Sequence, residues 1–294
     1  MKLLRIILLL MLTIASLPAM TMEQVQASLS EPQGLVLRGS RPLSGKAMGI
    51  IENQLIFRAS RGGGSLDYRY DLDQIERLQF PGNDVAYAAQ QAIREGKNEE
   101  ALRLMKAMFE QRGSYLKYLT PGERAFFYQY AELEFEKGDP YLGLGAGLAL
   151  QETVQDSLLL RKVDDLVLLG HYKLPLKKNT RELAEKWIAE SELYGASALG
   201  FYVLGQLDFD AQQFDAALWQ ALEPVTLSSQ FPMDYLNYCY ALAIASCMEL
   251  ELFEEEQKLR AEMTERGLNW PDIDVLADYQ TPTPPPLKNE PDKS

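Results

Sequence analysis

Residues Ala196–Leu222 read ASALGFYVLGQLDFDAQQFDAALWQAL, and this stretch decides the fold. Its large apolar residues recur at helical spacing in two runs, with a polar turn between them. Gly205 in the first run and Ala217 in the second are small, so two helix backbones can approach closely at this point. The stretch therefore predicts two short amphipathic helices that pack against each other.

The same stretch resembles a tetratricopeptide repeat, in its aromatic–x2–Leu–Gly pattern and in the aromatic and small residues that follow. The matching residues are Phe201, Leu204, Gly205, Phe214 and Ala217. The stretch departs from the family at Asp208 and Pro224, where the family usually carries Tyr and Ala, so the repeat is degenerate. One repeat cannot bury its own apolar face. The resemblance therefore implies neighbouring helix pairs, in a scaffold of the kind that binds other proteins.

Helical periodicity begins at Asn83 and continues to about Gly267, which predicts a helical repeat domain over 83–267. The predicted pairs are Val85–Gly96 with Glu99–Gly113, Pro121–Gly138 with Pro140–Val154, Ser157–Gly170 with Thr180–Tyr194, the opening stretch, and Asp234–Leu250 with Glu254–Arg266. Asn98 and Pro140 hold equivalent positions 42 residues apart, whereas the ideal repeat has about 34. We therefore expect a mainly α fold, an irregular tetratricopeptide-like α-solenoid of about five helix pairs.

Between Gly34 and Pro81 the apolar residues alternate with a period of two, which predicts short half-buried strands. The alternating pairs are Leu35/Leu37, Leu55/Phe57, Tyr68/Tyr70 and Leu78/Phe80. Turn residues separate them at Gly39-Ser40, at Glu52-Asn53 and in a triple-glycine loop at 62–64. The pattern predicts a small β domain over residues 34–81.

This segment resembles small SH3-like or Sm-like barrels. The resemblance rests on a Leu43-Ser44-Gly45 sequence before a bent hairpin and on a short turn, Asp71–Ile75, before the last strand. It implies a small N-terminal SH3-like β-barrel. Such barrels bind RNA in some relatives and peptides or cell wall in others, so the fold by itself does not assign a function.

The N-terminus is predicted to be a secretory signal peptide over residues 1–19. Lys2 and Arg5 precede an apolar run, Ile6–Leu17, and small residues follow around Ala19. Cleavage after Ala19 is expected, with Ala27 as a second position. A single transmembrane anchor is the structural alternative, but the apolar run is shorter than the ~20 residues that a span needs. We expect a periplasmic or cell-envelope protein with no transmembrane anchor in the mature chain.

Two further segments are predicted to lie outside any domain. Residues 20–33 are polar and are predicted to be a linker. Residues 268–294 end in TPTPPPLKNEPDKS, a proline-rich and charged sequence that cannot bury a core. They are predicted to be a disordered tail.

The net charge of −13 limits the class of partner. Removing Lys2 and Arg5 with the signal peptide leaves 27 basic against 42 acidic residues, or −15. Nucleic-acid binding requires clustered Lys and Arg, so no nucleic-acid partner is expected. We expect a protein or peptide segment that is basic or neutral and carries apolar anchors. The oligomeric state is left open.

The residues with reactive side chains do not form a catalytic or metal-binding pattern. Cys239 and Cys247 lie eight residues apart in one predicted helix, about 12 Å, which exceeds the reach of a disulfide. The single His171 excludes a multi-histidine metal site, and no nucleophile motif accompanies it. The sequence therefore predicts a protein without catalytic residues, cofactor or metal. The acidic clusters are interpreted as solvated helix faces; they are Glu132/Glu134/Glu136, Asp164/Asp165 and Glu254–Glu256.

Aromatic residues are concentrated in the first helix of several predicted pairs, the helix that lines the concave groove of helical-repeat arrays. Most of these rings are expected in the core, and Tyr128, Tyr202 and Tyr238 are the candidates for groove-facing contacts. The sequence thus predicts an exported, non-enzymatic scaffold that binds a partner segment in this groove. The alternative is an envelope polymer-binding module that acts through the β-barrel. An enzyme with its site in a helical toroid is disfavoured by the missing base and nucleophile.

Overall fold

The computed structural model describes residues 20–61, 64–174, 179–190, 197–227 and 233–281. The predicted signal peptide and residues 282–294 of the predicted tail lie outside the described residues. The chain divides into two compact units, residues 1–159 and 160–294. This division falls within the helical part of the chain, and the predicted boundary between a β domain and a helical domain near residue 82 does not separate two units.

Helix α1 (Met22–Leu29) is followed by an antiparallel sheet and then by a series of helices. The strands are β1 (Gln33–Leu37), β2 (Leu43–Ile51), β3 (Gln54–Arg61), β4 (Gly64–Asp71) and β5 (Ile75–Gln79). The helices after the sheet are α2 (Asn83–Arg94), α3 (Asn98–Arg112), α4 (Pro121–Lys137), α5 (Pro140–Gln151), α6 (Ser157–Lys173), α7 (Thr180–Glu190), α8 (Leu199–Asp210), α9 (Phe214–Leu227), α10 (Leu236–Glu249) and α11 (Phe253–Glu265). The predicted fold class, mainly helical with a small N-terminal sheet, is confirmed.

The sheet has the strand order β4-β3-β2-β1-β5. Its register places Leu35 opposite Leu78, and Leu55 opposite Tyr70. Leu35, Leu55 and Leu78 have no exposed surface, as their alternation predicted. A Cβ at Gly45 would lie 2.2 Å from the Arg58 carbonyl oxygen, which explains a glycine there. Within the described residues the pairing leaves β4 and β5 as the edges of the sheet, and the SH3-like curvature of the sheet stays a prediction.

The sheet and the first helices share a core, which explains why they form one unit. Arg112 of α3 is 3% exposed, and its guanidinium donates a hydrogen bond to the Pro81 carbonyl oxygen and pairs with Glu123 at 3.3 Å. The same guanidinium lies 5.4 Å from the centroid of the Phe80 ring, and Phe80 packs against Tyr115. The end of the last strand is therefore held by residues of the helical part.

The predicted linker over residues 20–33 contains a packed helix, so this prediction was wrong. Thr21 and Gln24 form a reciprocal capping box at the start of α1, an arrangement that satisfies two otherwise unpaired backbone donors. Val25 is completely buried and Leu29 is 8% exposed. The Leu29 carbonyl oxygen accepts a hydrogen bond from Gln111 on α3 at 2.6 Å. A short polar stretch with two apolar residues four apart can still form a docked helix.

Small residues lie where the predicted helix pairs make their closest contacts. A Cβ at Gly143 on α5 would lie 2.7 Å from the Ala131 carbonyl oxygen on α4. A Cβ at Gly205 on α8 would lie 3.2 Å from the Ala217 carbonyl oxygen on α9. Real Cβ contacts are rarely so short, so glycine permits this backbone approach in both units.

Helix α10 forms the centre of the second unit. It contacts α8, α9 and α11, and every residue from Cys239 to Cys247 is buried. Both cysteines are free, as their spacing predicted. Burial raises the pKa of the Cys247 thiol to about 11 and raises that of Cys239 as well. The two thiols act as small apolar side chains in this core.

Residues 268–281 were predicted to belong to the disordered tail, but they form an ordered segment on α10 and α11. This C-terminal segment contains a 3-10 helix, Asp274–Tyr279, in which Leu276 is completely buried. Arg260 of α11 donates hydrogen bonds to the backbone carbonyl oxygens of Tyr279 at 2.6 Å and of Gln280 at 2.9 Å. Apolar burial and these charged hydrogen bonds order the segment.

Three carboxylates of the acidic clusters are buried, contrary to the interpretation that these clusters are solvated. They are Glu134, Asp165 and Glu256, each 6% exposed or less. Glu134 accepts a hydrogen bond from the Asp139 backbone N–H at 2.9 Å, and Glu256 pairs with Arg260 at 2.7 Å. Such partners offset the cost of removing a charge from water.

Candidate functional site

A cavity of about 530 Å³ lies within the second unit. Helices α6, α8 and α10 form part of its wall, and the C-terminal segment forms the rest. The lining residues are Leu169, Tyr172, Lys173, Tyr202, Asp210, Tyr238, Asp272, Ile273, Asp274 and Val275. Binding pockets typically have this order of size, with apolar walls and a few polar groups.

Three tyrosines from three helices meet at this cavity. Tyr202 of α8 is 2% exposed, and its ring centroid lies 6.3 Å from that of Tyr172 on α6 and 5.2 Å from that of Tyr238 on α10. The planes of the rings cross at 80° and 81°. Tyr238 also packs edge-on against Tyr235. Edge-to-face contacts of this kind are favourable, so the rings hold one another in a fixed wall.

The hydroxyls of Tyr172 and Tyr202 are neutral at physiological pH. Burial raises the pKa of Tyr172 and of Tyr202 above the ordinary value, and the nearby Asp210 carboxylate raises both further. Neutral hydroxyls can donate and accept hydrogen bonds. The wall therefore offers both aromatic faces and polar groups.

The charged groups of the lining are mainly acidic. Among the described residues, Asp210, Asp272 and Asp274 are exposed at the cavity, together with Lys173. Asp210 accepts a hydrogen bond from Gln206 at 3.0 Å, and Gln206 is completely buried. A buried donor fixes the position of this carboxylate.

The structure brings two of the three predicted groove residues together. Tyr202 and Tyr238 touch and line the cavity, although Tyr202 is buried in the core. Tyr128 belongs to α4 in the first unit, where it is half-buried and donates a hydrogen bond to Glu132 at 3.1 Å. Tyr128 is not part of the cavity lining.

Sequence reasoning missed the remaining lining residues for identifiable reasons. Tyr172 lies just beyond the predicted helix Ser157–Gly170, but it belongs to the last turn of α6, which continues to Lys173. Asp272 and Asp274 lie in the segment that was predicted to be disordered. The spacing of Trp270, Ile273 and Leu276 was a signal that this segment packs on a helix.

The described residues do not assemble a metal site, since no group of three or more His, Cys, Asp or Glu side chains among them is placed to hold an ion. Burial lowers the pKa of His171. The His171 carbonyl oxygen accepts a hydrogen bond from Thr180 at 3.1 Å, which ties α6 to the start of α7.

Within the described part of the chain, none of the helices has the length and apolar character of a membrane span.

No protein-family model matches the sequence, and no curated protein matches it. Among solved structures, the chain is similar to MamA 41-end from Desulfovibrio magneticus RS-1, with 14% identity and a TM-score of 0.43. That similarity covers 63% of this chain and 92% of the MamA chain. A MamA RS-1 ArsTM double mutant gives 15% identity and a TM-score of 0.44, covering 63% of this chain and 97% of the other.

Proposed function

We propose that the chain is an exported, non-enzymatic scaffold protein of the cell envelope, which binds a segment of a partner protein at the tyrosine-walled cavity. The observation that carries the proposal is the wall of Tyr172, Tyr202 and Tyr238 beside a cavity of about 530 Å³. Large aromatic side chains in a preformed concave site are typical anchors for peptide side chains. Export rests on the charged and apolar pattern of residues 1–19.

A photo-crosslinking experiment tests this proposal. A benzophenone amino acid is placed in turn at Val275 on the cavity wall, at Leu66 on the sheet and at Trp219 on α9. These side chains are 52%, 57% and 74% exposed, so the probe does not disturb the core. We expect illumination in envelope extracts to attach a discrete protein at Val275 and not at Trp219, with the attached segment identified by mass spectrometry.

A change in the wall provides the control for specificity. Tyr238→Ser removes one ring of the wall and should weaken the crosslink at Val275 at least several-fold, because an aromatic anchor contributes about 2 kcal/mol or more at such sites. Equal crosslink yields at Val275 and Trp219 would contradict binding at the cavity. A yield at Val275 that Tyr238→Ser does not change would contradict it as well.

The second candidate function is binding of an envelope polymer by the sheet. Tyr68 and Tyr70 of β4 are stacked, with ring centroids 6.3 Å apart and planes at 24°. Within the described residues β4 is an edge of the sheet, and an edge strand can pair with an extended peptide. Crosslinking of glycan or cell-wall peptide at Leu66, without a protein at Val275, would favour this function.

A further inference from the structure

The tyrosine-walled cavity has a geometry that suits a cationic side chain. The half-buried Tyr172 and Tyr238 line the cavity, and each ring meets the buried Tyr202 ring nearly at a right angle. An ammonium or guanidinium group within about 6 Å of a ring face is attracted by the ring quadrupole. Leu169, Ile273 and other apolar lining can contact the methylene stem of a long side chain.

The charges at the cavity favour the same class of ligand. Among the described residues, three carboxylates and one ammonium line it, a difference of two negative charges. Asp210 is positioned by the buried Gln206, and Asp272 and Asp274 belong to the segment that Arg260 holds. Opposite potentials attract a cation and repel an anion.

A metal ion is a poorer match than an organic cation. Among the described residues no three acidic, cysteine or histidine side chains converge closely enough to bind one. The carboxylates instead share the lining with tyrosine rings. This combination suits an organic cation, which both rings and carboxylates attract.

We propose that the cavity binds the side chain of a lysine or arginine in the partner segment. This inference rests on the proposed function, in which the cavity is the place where the segment binds. The cation lies against the half-buried rings of Tyr172 and Tyr238, which Tyr202 supports from the core, and is neutralised by the aspartates, while Lys173 competes for the same carboxylates.

Blocked pentapeptides that differ only at the central residue provide the probes, measured by isothermal titration or by NMR titration with residues 20–294. The central residue is lysine, arginine, norleucine or glutamate. Norleucine has nearly the shape of lysine but no charge. We expect lysine and arginine to bind at least tenfold more tightly than norleucine, and no binding of glutamate. Equal binding of lysine and norleucine overturns the proposal.

Four variants separate a cation site from a general loss of structure. Tyr238→Phe keeps the ring and should bind lysine within about twofold, whereas Tyr238→Leu should lose about fivefold or more. Asp272→Asn combined with Asp274→Asn should weaken binding several-fold. Lys173→Met should bind lysine more tightly, a gain that misfolding cannot produce. Unchanged affinity in both Tyr238→Leu and the aspartate variant overturns the proposal.

Spermidine distinguishes a free polyamine from a peptide side chain. Saturable binding of spermidine with no binding of the lysine peptide overturns the assignment to a partner segment.

The peptide-binding measurement and the crosslinking test can fail independently of each other. A specific crosslink at Val275 with equal lysine and norleucine affinities would support the proposed function and contradict the cation preference. Lysine selectivity without any crosslink at Val275 would support the cation preference and contradict the proposed function.

Discussion

Asp165 is buried, although its neighbours in the sequence predict an exposed side chain. It follows another aspartate in a helix of mixed polarity, yet it is 6% exposed and accepts a hydrogen bond from the buried Ser197 at 3.2 Å. Burial raises the pKa of its carboxyl to about 7, against the opposing effects of Ser197 and Arg161, and Asp234 raises it further. The folded protein therefore holds a proton on Asp165 that the unfolded chain releases at a pH near 4.

This proton makes stability depend on pH in a defined direction. Between about pH 4 and pH 7 the unfolded state has lost the proton and the folded state retains it, so rising pH favours unfolding. Asp165 should lower the free energy of unfolding by up to about 1.4 kcal/mol per pH unit in this window. Its contribution should become constant above the folded-state pKa.

Urea unfolding of the wild type and of Asp165→Asn at pH 5, 6, 7 and 8 measures this effect. Asparagine keeps the shape and cannot ionise, so the stability of the variant relative to the wild type should rise from pH 5 to pH 7. The matched control is Asp164→Asn, at the adjacent and less buried residue. Parallel pH profiles for the wild type and Asp165→Asn would show that Asp165 does not hold the proton.

At the scale of elements, the C-terminal segment depends on one arginine. Arg260 of α11 contacts Glu256, the carbonyl oxygens of Tyr279 and Gln280, and the Trp270 ring at 5.6 Å. Its guanidinium supplies several donors in a fixed geometry that lysine cannot reproduce. The segment also supplies one wall of the cavity, so this arginine supports the candidate site without touching it.

We expect Arg260→Ala to release the segment while the helices remain folded. Hydrogen exchange should accelerate at least tenfold in Asp274–Tyr279 and change little in α10, because local opening removes few core contacts. Lys258→Ala, on the exposed face of the same helix, is the control and should leave the exchange unchanged. Retained protection of the segment in Arg260→Ala would show that apolar packing of Leu276 is sufficient by itself.

At the scale of the whole molecule, the compact units do not follow the change from strands to helices. The first unit contains α1, the sheet and α2–α5, and the second begins near the start of α6. The contacts of Arg112 with Pro81 and Phe80 join the sheet to the helices that follow it. A domain of only about 60 residues is also marginally stable, because it buries a small share of its surface.

We therefore expect fragments 20–156 and 157–281 each to fold, and fragment 20–82 not to fold. Circular dichroism and urea unfolding of the purified fragments measure this. The two larger fragments should be helical and unfold cooperatively, whereas 20–82 should lack a cooperative transition. Cooperative unfolding of 20–82 would show that the sheet is an independent domain, as the change in periodicity predicted.

The amino-acid sequence by itself determined the strands and most of the helices, but not α1 or the 3-10 helix Asp274–Tyr279. Period-two alternation placed Leu35, Leu55 and Leu78 on the buried face of strands, and small residues marked the approach of α8 and α9. These features are local, because side-chain direction follows directly from the backbone geometry of a helix or strand. The absence of a disulfide between Cys239 and Cys247 followed from the same geometry.

Only the tertiary structure decided what surrounds each side chain. Tyr172, Tyr202 and Tyr238 are about 30 residues apart in the chain and meet because three helices converge. The burial of Asp165 and the docking of the C-terminal segment likewise depend on partners distant in sequence. A local sequence pattern indicates whether a segment forms a helix or a strand and which of its faces is apolar. The environment of a polar residue is instead set by the elements that pack against it.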